Sequence, residues 1–356
     1  MNAISVVLLV FAIIGAVDRI FGNRFGLGVE FERGFKLFGA MALSMIGMIV
    51  LAPALSSWLS PFFDEFYNTF GLDPSILPAS FFSSDMGGAT LSQQVSKSSV
   101  IGDFNGFVVA SMMGCVISFT VPLALDVVNK EHHKEMFFGF LCGIVTIPLG
   151  CFVSGLICRI SVKELVLNLL PLITLALIIA VGLIFLPQIF IKCFKVFGIF
   201  MRILITVGLA LGIFAYITKK PIGADFDTYE NGALICAGAC VTLAGAFPLM
   251  SVISRVLRIP ISKLGEKLKI DEVSAGAFIS TVVTNVNTLS LMNKMNKKGI
   301  VLNSAFAVSA AFSLGGQFGF TMTLSPSYAV PMIIGKLISG ISALILACIL
   351  YKDKTA

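Results

Sequence analysis

The chain has 356 residues, of which 57% are hydrophobic and 12% are charged, and its mean hydropathy is +0.98. Soluble domains contain roughly 45–50% apolar and about 25% charged residues, so this composition excludes a soluble globular domain and predicts an all-α polytopic membrane protein. The net charge of +6 does not indicate a nucleic-acid partner, because the basic residues lie in short loops between apolar runs.

Nine apolar stretches approach the roughly 20 residues that a membrane-spanning helix needs. The first resembles a signal-peptide core, but no basic region precedes it and no clear cleavage site follows, so we interpret it as a retained span. The predicted spans are 3–20, 35–58, 104–125, 136–157, 165–187, 198–217, 231–253, 301–323 and 329–350.

The segment 74–95 is less apolar than the predicted spans and is rich in serine, threonine and glycine. Asp85 stands beside Gly87 and Gly88, a combination typical of a broken helix that approaches a ligand at membrane depth. We predict that Asp85 holds a cation, with Thr90 among its polar neighbours. The alternative is an acid in a solvated loop, which the apolar residues around it disfavour.

A second polar segment, 271–292, has a similar character but carries no acid at its centre. Asn285 and Asn287 offer neutral amides there, which suit the hydroxyl of a substrate or, alternatively, satisfy backbone groups at a helix break. Gln317 follows in a stretch rich in small residues and is a further candidate polar contact. We predict that 74–95 and 271–292 are both re-entrant hairpins.

Four other polar residues occupy paired positions. Asn105 and Asn303 stand at the starts of two predicted spans, where they cap the helices or line the path of a substrate. Glu32 and Glu230 each precede a glycine at a predicted helix start, so interaction with the helix dipole explains them, although a role in an ion pair or gate stays open. Lys336 lies within the last span and either reaches the membrane surface or pairs with Asp85 when the site is empty.

An offset of 198 residues relates the two halves of the chain. The pairs of identical residues are Glu32 and Glu230, Gly34 and Gly232, Gly47 and Gly245, Leu51 and Leu249, Asp73 and Asp271, Ala79 and Ala277, Thr90 and Thr288, Leu91 and Leu289, Asn105 and Asn303, and Ser111 and Ser309. We therefore predict a first repeat over 1–157, a linking span over 158–197 and a second repeat over 198–356. Four crossings in each repeat and one linking crossing make the repeats inverted.

Loop charges test this topology. With the N-terminus outside and the C-terminus cytoplasmic, 19 of the 25 basic residues fall on the cytoplasmic side. This distribution agrees with the positive-inside rule. Basic clusters at 255–269 and 294–298 bracket the second polar segment, which favours a hairpin whose two ends are both cytoplasmic.

Catalytic and cofactor-binding patterns are lacking. The two histidines, His132 and His133, are adjacent in a charged loop, and the eight cysteines form no CxxC pair. No nucleotide-binding motif is present either. We expect neither an enzyme, a metal site nor a cofactor.

Several strings in the chain resemble the ethanolamine permease family of the ethanolamine-utilisation system, the EutH type. They are Ala16 to Ile20 (AVDRI), Phe31 to Phe35 (FERGF), Asp85 to Gly88 (DMGG), Gly143 to Pro148 (GIVTIP), Asn303 to Leu314 (NSAFAVSAAFSL) and Pro331 to Lys336 (PMIIGK). The resemblance covers nearly the whole chain in the same order. It implies a transporter of the bacterial inner membrane that brings ethanolamine into the cytoplasm.

Ethanolamine agrees with the chemistry of the polar segments, because its ammonium suits the carboxylate of Asp85 and its hydroxyl suits an amide such as that of Asn285. Alternating access between the two hairpins is the mechanism that we predict. An ion-coupled symporter of another small amine or polar solute is the alternative, and a membrane sensor or scaffold is a third interpretation. The faces rich in small residues permit a homodimer.

Overall fold

The computed structural model describes residues 3–223 and 225–351, and these residues form helices joined by short loops, without a strand. The predicted all-α class is therefore confirmed. Lys352, Lys354 and the C-terminus, which we predict to be cytoplasmic, lie outside the described residues. The α-helices are α1 (Ala3–Ile20), α2 (Leu27–Lys36), α3 (Phe38–Phe70), α4 (Ile76–Phe81), α5 (Gly88–Val95), α6 (Ser99–Phe104), α7 (Val121–Val127), α8 (His133–Ile157), α9 (Val162–Phe185), α10 (Pro187–Thr218), α11 (Tyr229–Leu268), α12 (Glu272–Val283), α13 (Asn285–Leu291), α14 (Lys297–Ala310), α15 (Gly316–Leu324) and α16 (Ala329–Leu350).

Within the described ranges, eight helical segments are long and apolar enough to cross a membrane, so the polytopic class is confirmed. They are Ala3–Ile20, Leu27–Phe70, Ser99–Val127, Lys130–Ile157, Val162–Phe185, Pro187–Thr218, Tyr229–Leu268 and Pro326–Leu350. Each contains or overlaps one of the nine predicted spans. The remaining predicted span, 301–323, differs from the prediction because the chain leaves the helix at Ala310 and re-enters one at Gly316.

Hydrogen bonds to a neighbouring helix hold that interruption open. The backbone N–H groups of Phe312 and Leu314 donate to the carbonyls of Thr281 and Val282 near the end of α12, at 3.2 and 2.9 Å. Gly315 packs so closely there that a Cβ atom on it would lie 1.9 Å from the Val283 carbonyl oxygen. Carbonyl groups at the end of a helix lack hydrogen-bond partners within that helix. The broken segment supplies N–H donors to two of these carbonyl groups.

The related span in the first half, Ser99–Val127, is continuous and π-helical over Asn105–Gly114 and Val116–Thr120. Its glycines allow the first polar segment to pack directly against it. A Cβ atom on Gly114 would lie 2.0 Å from the carbonyl oxygen of Phe82, and one on Gly106 would lie 2.8 Å from the Cα atom of Ala89. This close contact fixes the position of the first polar segment.

Both polar segments consist of short helices. At 1.5 Å per residue, α4 and α5 are about 9 and 12 Å long and α12 is about 18 Å long, so none crosses a hydrocarbon core of about 30 Å alone. One aspartate joins the two ends of each segment. Asp73 accepts from the backbone N–H groups of Ser75, Lys97 and Ser98, and Asp271 accepts from those of Ser274 and Asn296.

Glycine contacts also join the first helix of each half to the long helix of the other. A Cβ atom on Gly47 in α3 would lie 2.0 Å from the carbonyl oxygen of Ile205 in α10. One on Gly245 in α11 would lie 2.3 Å from the carbonyl oxygen of Leu8 in α1. Close approach at small residues is the usual way in which helices pack within a bilayer.

Candidate functional site

A cavity of about 270 Å³ lies where the helix breaks meet. Asp85 lines it from the break between α4 and α5, and Thr284 lines it from the break between α12 and α13. Gly316 and Gln317 line it from the start of α15, and Arg33 lines it from α2. Residues of both polar segments therefore line one cavity.

Asp85 sits in a single 3-10 turn at the first break. The carbonyl of Ser83 accepts from the N–H groups of Met86 and Gly88, and Gly87 adopts a φ of 93°, which favours glycine. A Cβ atom on Gly88 would lie 2.2 Å from the Phe82 carbonyl oxygen, so both predicted glycines shape the turn through the backbone. The turn presents the carboxylate to the cavity.

The two oxygens of the Asp85 carboxylate have different surroundings. The Ser83 hydroxyl donates to Oδ1 at 2.6 Å. Oδ2 faces the start of α15, where a Cβ atom added to Gly316 would lie 3.8 Å away. Since Gly316 carries no side chain, the approach to Oδ2 from the cavity stays open.

A chain of hydrogen bonds connects Asp85 to the buried lysine of α16. Lys336 Nζ donates to Gln317 Oε1 at 2.7 Å, and Gln317 Nε2 donates to Ser83 Oγ at 3.0 Å. Ser83 then donates to Asp85, so each link points from the ammonium toward the carboxylate. Lys336 also donates to the carbonyl of Ser111 at 2.6 Å. We refer to Lys336, Gln317, Ser83 and Asp85 as the polar chain.

Lys336 is only 1% exposed, so its side chain does not reach the membrane surface. Nor do Lys336 and Asp85 form a direct ion pair among the contacts of the described residues. The two neutral side chains of Gln317 and Ser83 stand between them. A charge buried in low dielectric requires compensation, and the polar chain supplies it over two intervening residues.

Arg33 adds a second positive charge to the cavity. Its guanidinium donates to Glu30 at 3.2 Å and stacks over the ring of Phe247, 5.2 Å from the centroid. Arg33, Phe247 and Val283 also line a neighbouring cavity of about 500 Å³, which contains Asn287, so these three residues form the neck between the two spaces. A third cavity of about 660 Å³ shares a wall that includes Phe119 with the Asp85 cavity.

The three predicted asparagines other than Asn287 are buried away from the Asp85 cavity. Asn285 donates to Thr120 Oγ1 at 2.9 Å, and its own amide oxygen lacks a partner. Asn105 exchanges two hydrogen bonds with Asn168 of α9, at 2.7 and 3.0 Å. Asn303 donates to the Ser274 carbonyl at 2.9 Å. Their predicted contact with a substrate stays a prediction.

The other predicted polar residues lie farther from the polar chain. Thr90 is half-buried on α5 and does not line the Asp85 cavity. Glu32 forms ion pairs with Arg19 at 2.7 Å and with Lys36 at 2.9 Å, whereas Glu230 is exposed in the first turn of α11. A gating role for either glutamate stays a prediction.

Sequence reasoning did not single out the roles of Ser83, Arg33 or Cys115, all of which line the cavity. Ser83 is the central link of the polar chain, yet in the sequence it is one of several serines near Asp85. Arg33 follows an acidic residue near a predicted span end, a position typical of a topology-setting charge. The local sequence around Ser83 and around Arg33 therefore does not distinguish either residue from its neighbours.

Comparisons with known proteins identify the family of the chain. The family model described as "Ethanolamine utilisation protein, EutH" matches residues 1–350. Relatives include a probable ethanolamine permease EutH of Listeria monocytogenes, 40% identical over 96% of this chain and 92% of its own, and one of Salmonella typhimurium, 32% identical over 99% and 96%. An uncharacterised protein of Bacillus subtilis, YxeR, is 35% identical over 96% of this chain and 92% of its own. No solved structure matches the chain. The predicted resemblance is therefore confirmed: the chain belongs to the EutH family of ethanolamine utilisation proteins.

Proposed function

We propose that this protein is a transporter of the bacterial inner membrane that imports ethanolamine as its protonated cation. The observation that carries the proposal is the Asp85 carboxylate, which faces a cavity bordered by helix breaks from both halves of a EutH-family chain. Two relatives named as probable ethanolamine permeases, with near full-length similarity, support the substrate.

Asp85 provides the chemistry that a small ammonium requires. A carboxylate and an ammonium form a charge-assisted hydrogen bond, which is about twice as strong as a neutral one. Oδ2 faces Gly316, so an ammonium reaches it without displacing a side chain. The rings of Phe119 and Phe312 in the cavity wall offer apolar surface to the two methylene groups.

Alternating access between two inverted repeats is the mechanism that we propose, with repeats at 1–157 and 198–356 and the linking span between them. Support comes from the matching aspartates Asp73 and Asp271, each of which joins the two ends of a polar segment as the ends of a re-entrant hairpin require. Gly47 joins the long helix of the first half, α3, to the first helix of the second half, α10. Gly245 joins the long helix of the second half, α11, to the first helix of the first half, α1. Such symmetry is common in secondary transporters.

The proposed cytoplasmic side is the one toward which the cavity extends. The neighbouring cavities carry Arg255 and Arg258 in one case and Lys195 and Arg202 in the other. The positive-inside rule assigns these basic residues to the cytoplasm. On the opposite side, the ring of Phe107 packs against the rings of Phe320 and Tyr328, with centroids 6.2 and 6.0 Å away, which supports a closed outer path.

The experiment is uptake of labelled ethanolamine into proteoliposomes at mildly acidic pH, with protein-free vesicles subtracted. We expect Asp85→Asn to reduce the initial rate at least about 100-fold, since loss of a buried charge partner costs about 3 kcal/mol or more. Asp225→Asn changes an exposed loop acid and is the matched control. Wild-type rates for Asp85→Asn would remove the carboxylate from the mechanism. An absence of uptake by the wild-type protein would overturn the transporter itself.

A further inference from the structure

Lys336 is the cationic end of the polar chain, and its setting is unusual for an ammonium. It is 1% exposed within the membrane domain and donates to two neutral acceptors, Ser111 O and Gln317 Oε1. A buried charge of this kind is tolerated only when an opposite charge or a strong set of dipoles compensates it. Asp85, reached through Gln317 and Ser83, is the acid that compensates it.

Few other titratable groups surround these two charges. The groups that face Lys336 from its packed helices are the thiols of Cys115 and Cys151 and the Asp85 carboxylate. Asp85 is near the thiols of Cys115 and Cys236, and Arg33 lines the same cavity. Arg33 already has Glu30 as its partner. Among the described residues, Asp85 is therefore the carboxylate that faces both Lys336 and the cavity.

We propose that Lys336 is a proton-binding coupling site, so that the substrate cation and the lysine proton compete for the single negative charge of Asp85 and transport is an electroneutral exchange of one ammonium for one proton. The proposal rests on the proposed function. It goes beyond that function because it sets the stoichiometry and assigns a role to a residue that does not line the cavity. Gln317 and Ser83 transmit the competition as positioning residues.

The cycle balances charge and protons. In the empty carrier, Lys336 is protonated and Asp85 is ionised. When an ammonium binds Asp85 from outside, Lys336 gives its proton to water on that side, and its nitrogen keeps the electron pair. After the carrier reopens, the ammonium leaves to the cytoplasm, Lys336 takes a proton from cytoplasmic water, and the empty carrier returns.

This exchange predicts a specific energetic outcome. Because one positive charge moves each way, the membrane potential does not drive uptake; a proton gradient directed outward drives it, and a gradient directed inward opposes it. A uniporter of the cation would instead enrich its substrate about tenfold for each 59 mV of inside-negative potential. The two mechanisms therefore differ in their response to voltage even when their substrate is identical.

The experiment measures initial ethanolamine uptake into proteoliposomes under valinomycin-imposed potentials of either sign, with protein-free vesicles subtracted. We expect the wild-type rate to be insensitive to potential and to be accompanied by alkalinisation of the lumen. Lys336→Met should transport without that proton movement and should run several-fold faster at inside-negative potential, because the cation then carries net charge. Lys163→Met, an exposed lysine on α9, should behave as wild type.

A second measurement needs no variant that must fold. Addition of ethanolamine to the purified wild-type protein in weakly buffered detergent should release about one proton per bound cation, as linkage between two ligands of one carboxylate requires. A wild-type protein that follows the membrane potential, or that releases no proton on binding, would overturn the coupling role and leave the transporter intact. Loss of all uptake by the wild-type protein would overturn the proposed function instead.

Discussion

The two polar segments occupy related positions in the sequence, but their helix breaks carry different side chains and pack against different neighbours. In the first, the break at 82–87 carries the acid, and its backbone is supported by the continuous span Ser99–Val127. In the second, the break at Thr284 is followed in α13 by the amides of Asn285 and Asn287, and the related span is itself interrupted between Ala310 and Gly316. The interruption brings Gly316 beside Asp85 and brings Gln317 to Ser83, which donates to Asp85. The first half thus supplies the carboxylate of Asp85. The second half supplies the open approach beside Gly316 and the hydrogen bond from Lys336 to Gln317.

The largest expected effect comes from exchanging the acid of the first polar segment with an amide of the second, in the double variant Asp85→Asn with Asn285→Asp. We expect no uptake, because the Asn285 side chain contacts Thr120 and does not line the cavity, so an acid there does not replace Asp85. We also expect destabilisation by several kcal/mol from an unpaired buried charge. Uptake and thermal unfolding in detergent measure the two effects. Asn285→Ala alone is the control, and recovery of uptake by the exchange would contradict the asymmetry of the two segments.

The backbone of the first break provides the next prediction. Gly88→Ala should destabilise the protein by about 3 kcal/mol and abolish uptake, because its Cβ atom would lie 2.2 Å from the Phe82 carbonyl oxygen. Gly276→Ala in α12 is the matched change in the other segment. A Cβ atom there meets nothing within 4 Å, so alanine should stabilise the helix by about 0.5–1 kcal/mol. Equal melting temperatures for the two variants would show that the close packing of the first break is not required.

The helical class and the place of the acid follow from local sequence. Apolar runs fix the long helices, and a carboxylate beside Gly87 and Gly88 marks a break because the two glycines permit the turn that follows it. The interruption at 311–315 does not follow from local sequence. Its small and apolar residues suit a continuous span, and the break depends on backbone hydrogen bonds to Thr281 and Val282, about 30 residues earlier in the chain.

The polar chain likewise depends on long-range packing. Gln317 and Ser83 are 234 positions apart, and Lys336 is 225 positions from its acceptor Ser111. The sequence identifies Asp85 and Lys336 as charges within the membrane and Gln317 as a candidate polar contact, but the role of Ser83 and the order of the links become apparent only when the two halves are packed together. Prediction from one sequence therefore finds the ends of such a chain more readily than its links.

A smaller effect is expected from Asp271, one of the two aspartates that join the ends of a polar segment. Burial raises the pKa of the Asp271 carboxyl, but hydrogen bonds from the N–H groups of Asn296 and Ser274 and from the Ser274 hydroxyl outweigh it, so the pKa lies below its ordinary value. A lowered pKa in the folded state contributes stability above the ordinary value of about 3.9, and that stability is lost as pH falls through the folded pKa. Asp271→Asn keeps a capping side chain but weakens these hydrogen bonds to a charged acceptor, so it should lower the free energy of unfolding by about 1 kcal/mol at neutral pH, after allowance for partial exposure of the site to solvent.

The pH dependence of unfolding checks this prediction. The difference in unfolding free energy between wild type and Asp271→Asn should disappear in strong acid, because the wild-type carboxyl is then protonated and is neutral like the asparagine amide. Asp73→Asn, which removes the corresponding link in the first segment, serves as the comparison variant at each pH. A difference between Asp271→Asn and wild type that stays constant from neutral to strongly acidic pH would show that the charge of Asp271 is not what holds the segment ends together.

The smallest expected effect concerns the positive charge that only the first half contributes to the neck. Arg33 lines the Asp85 cavity, whereas the position 198 residues later is Asn231, which is exposed at the start of α11. A cation on Asp85 experiences repulsion from Arg33, reduced by its ion pair with Glu30. We expect Arg33→Gln to lower the KM for ethanolamine uptake about threefold, which corresponds to a change in binding free energy of less than about 1 kcal/mol. Arg24→Gln, an exposed change nearby in sequence, should leave KM unchanged. A higher KM for Arg33→Gln would mean that its stacking on Phe247 shapes the cavity more than its charge opposes the substrate.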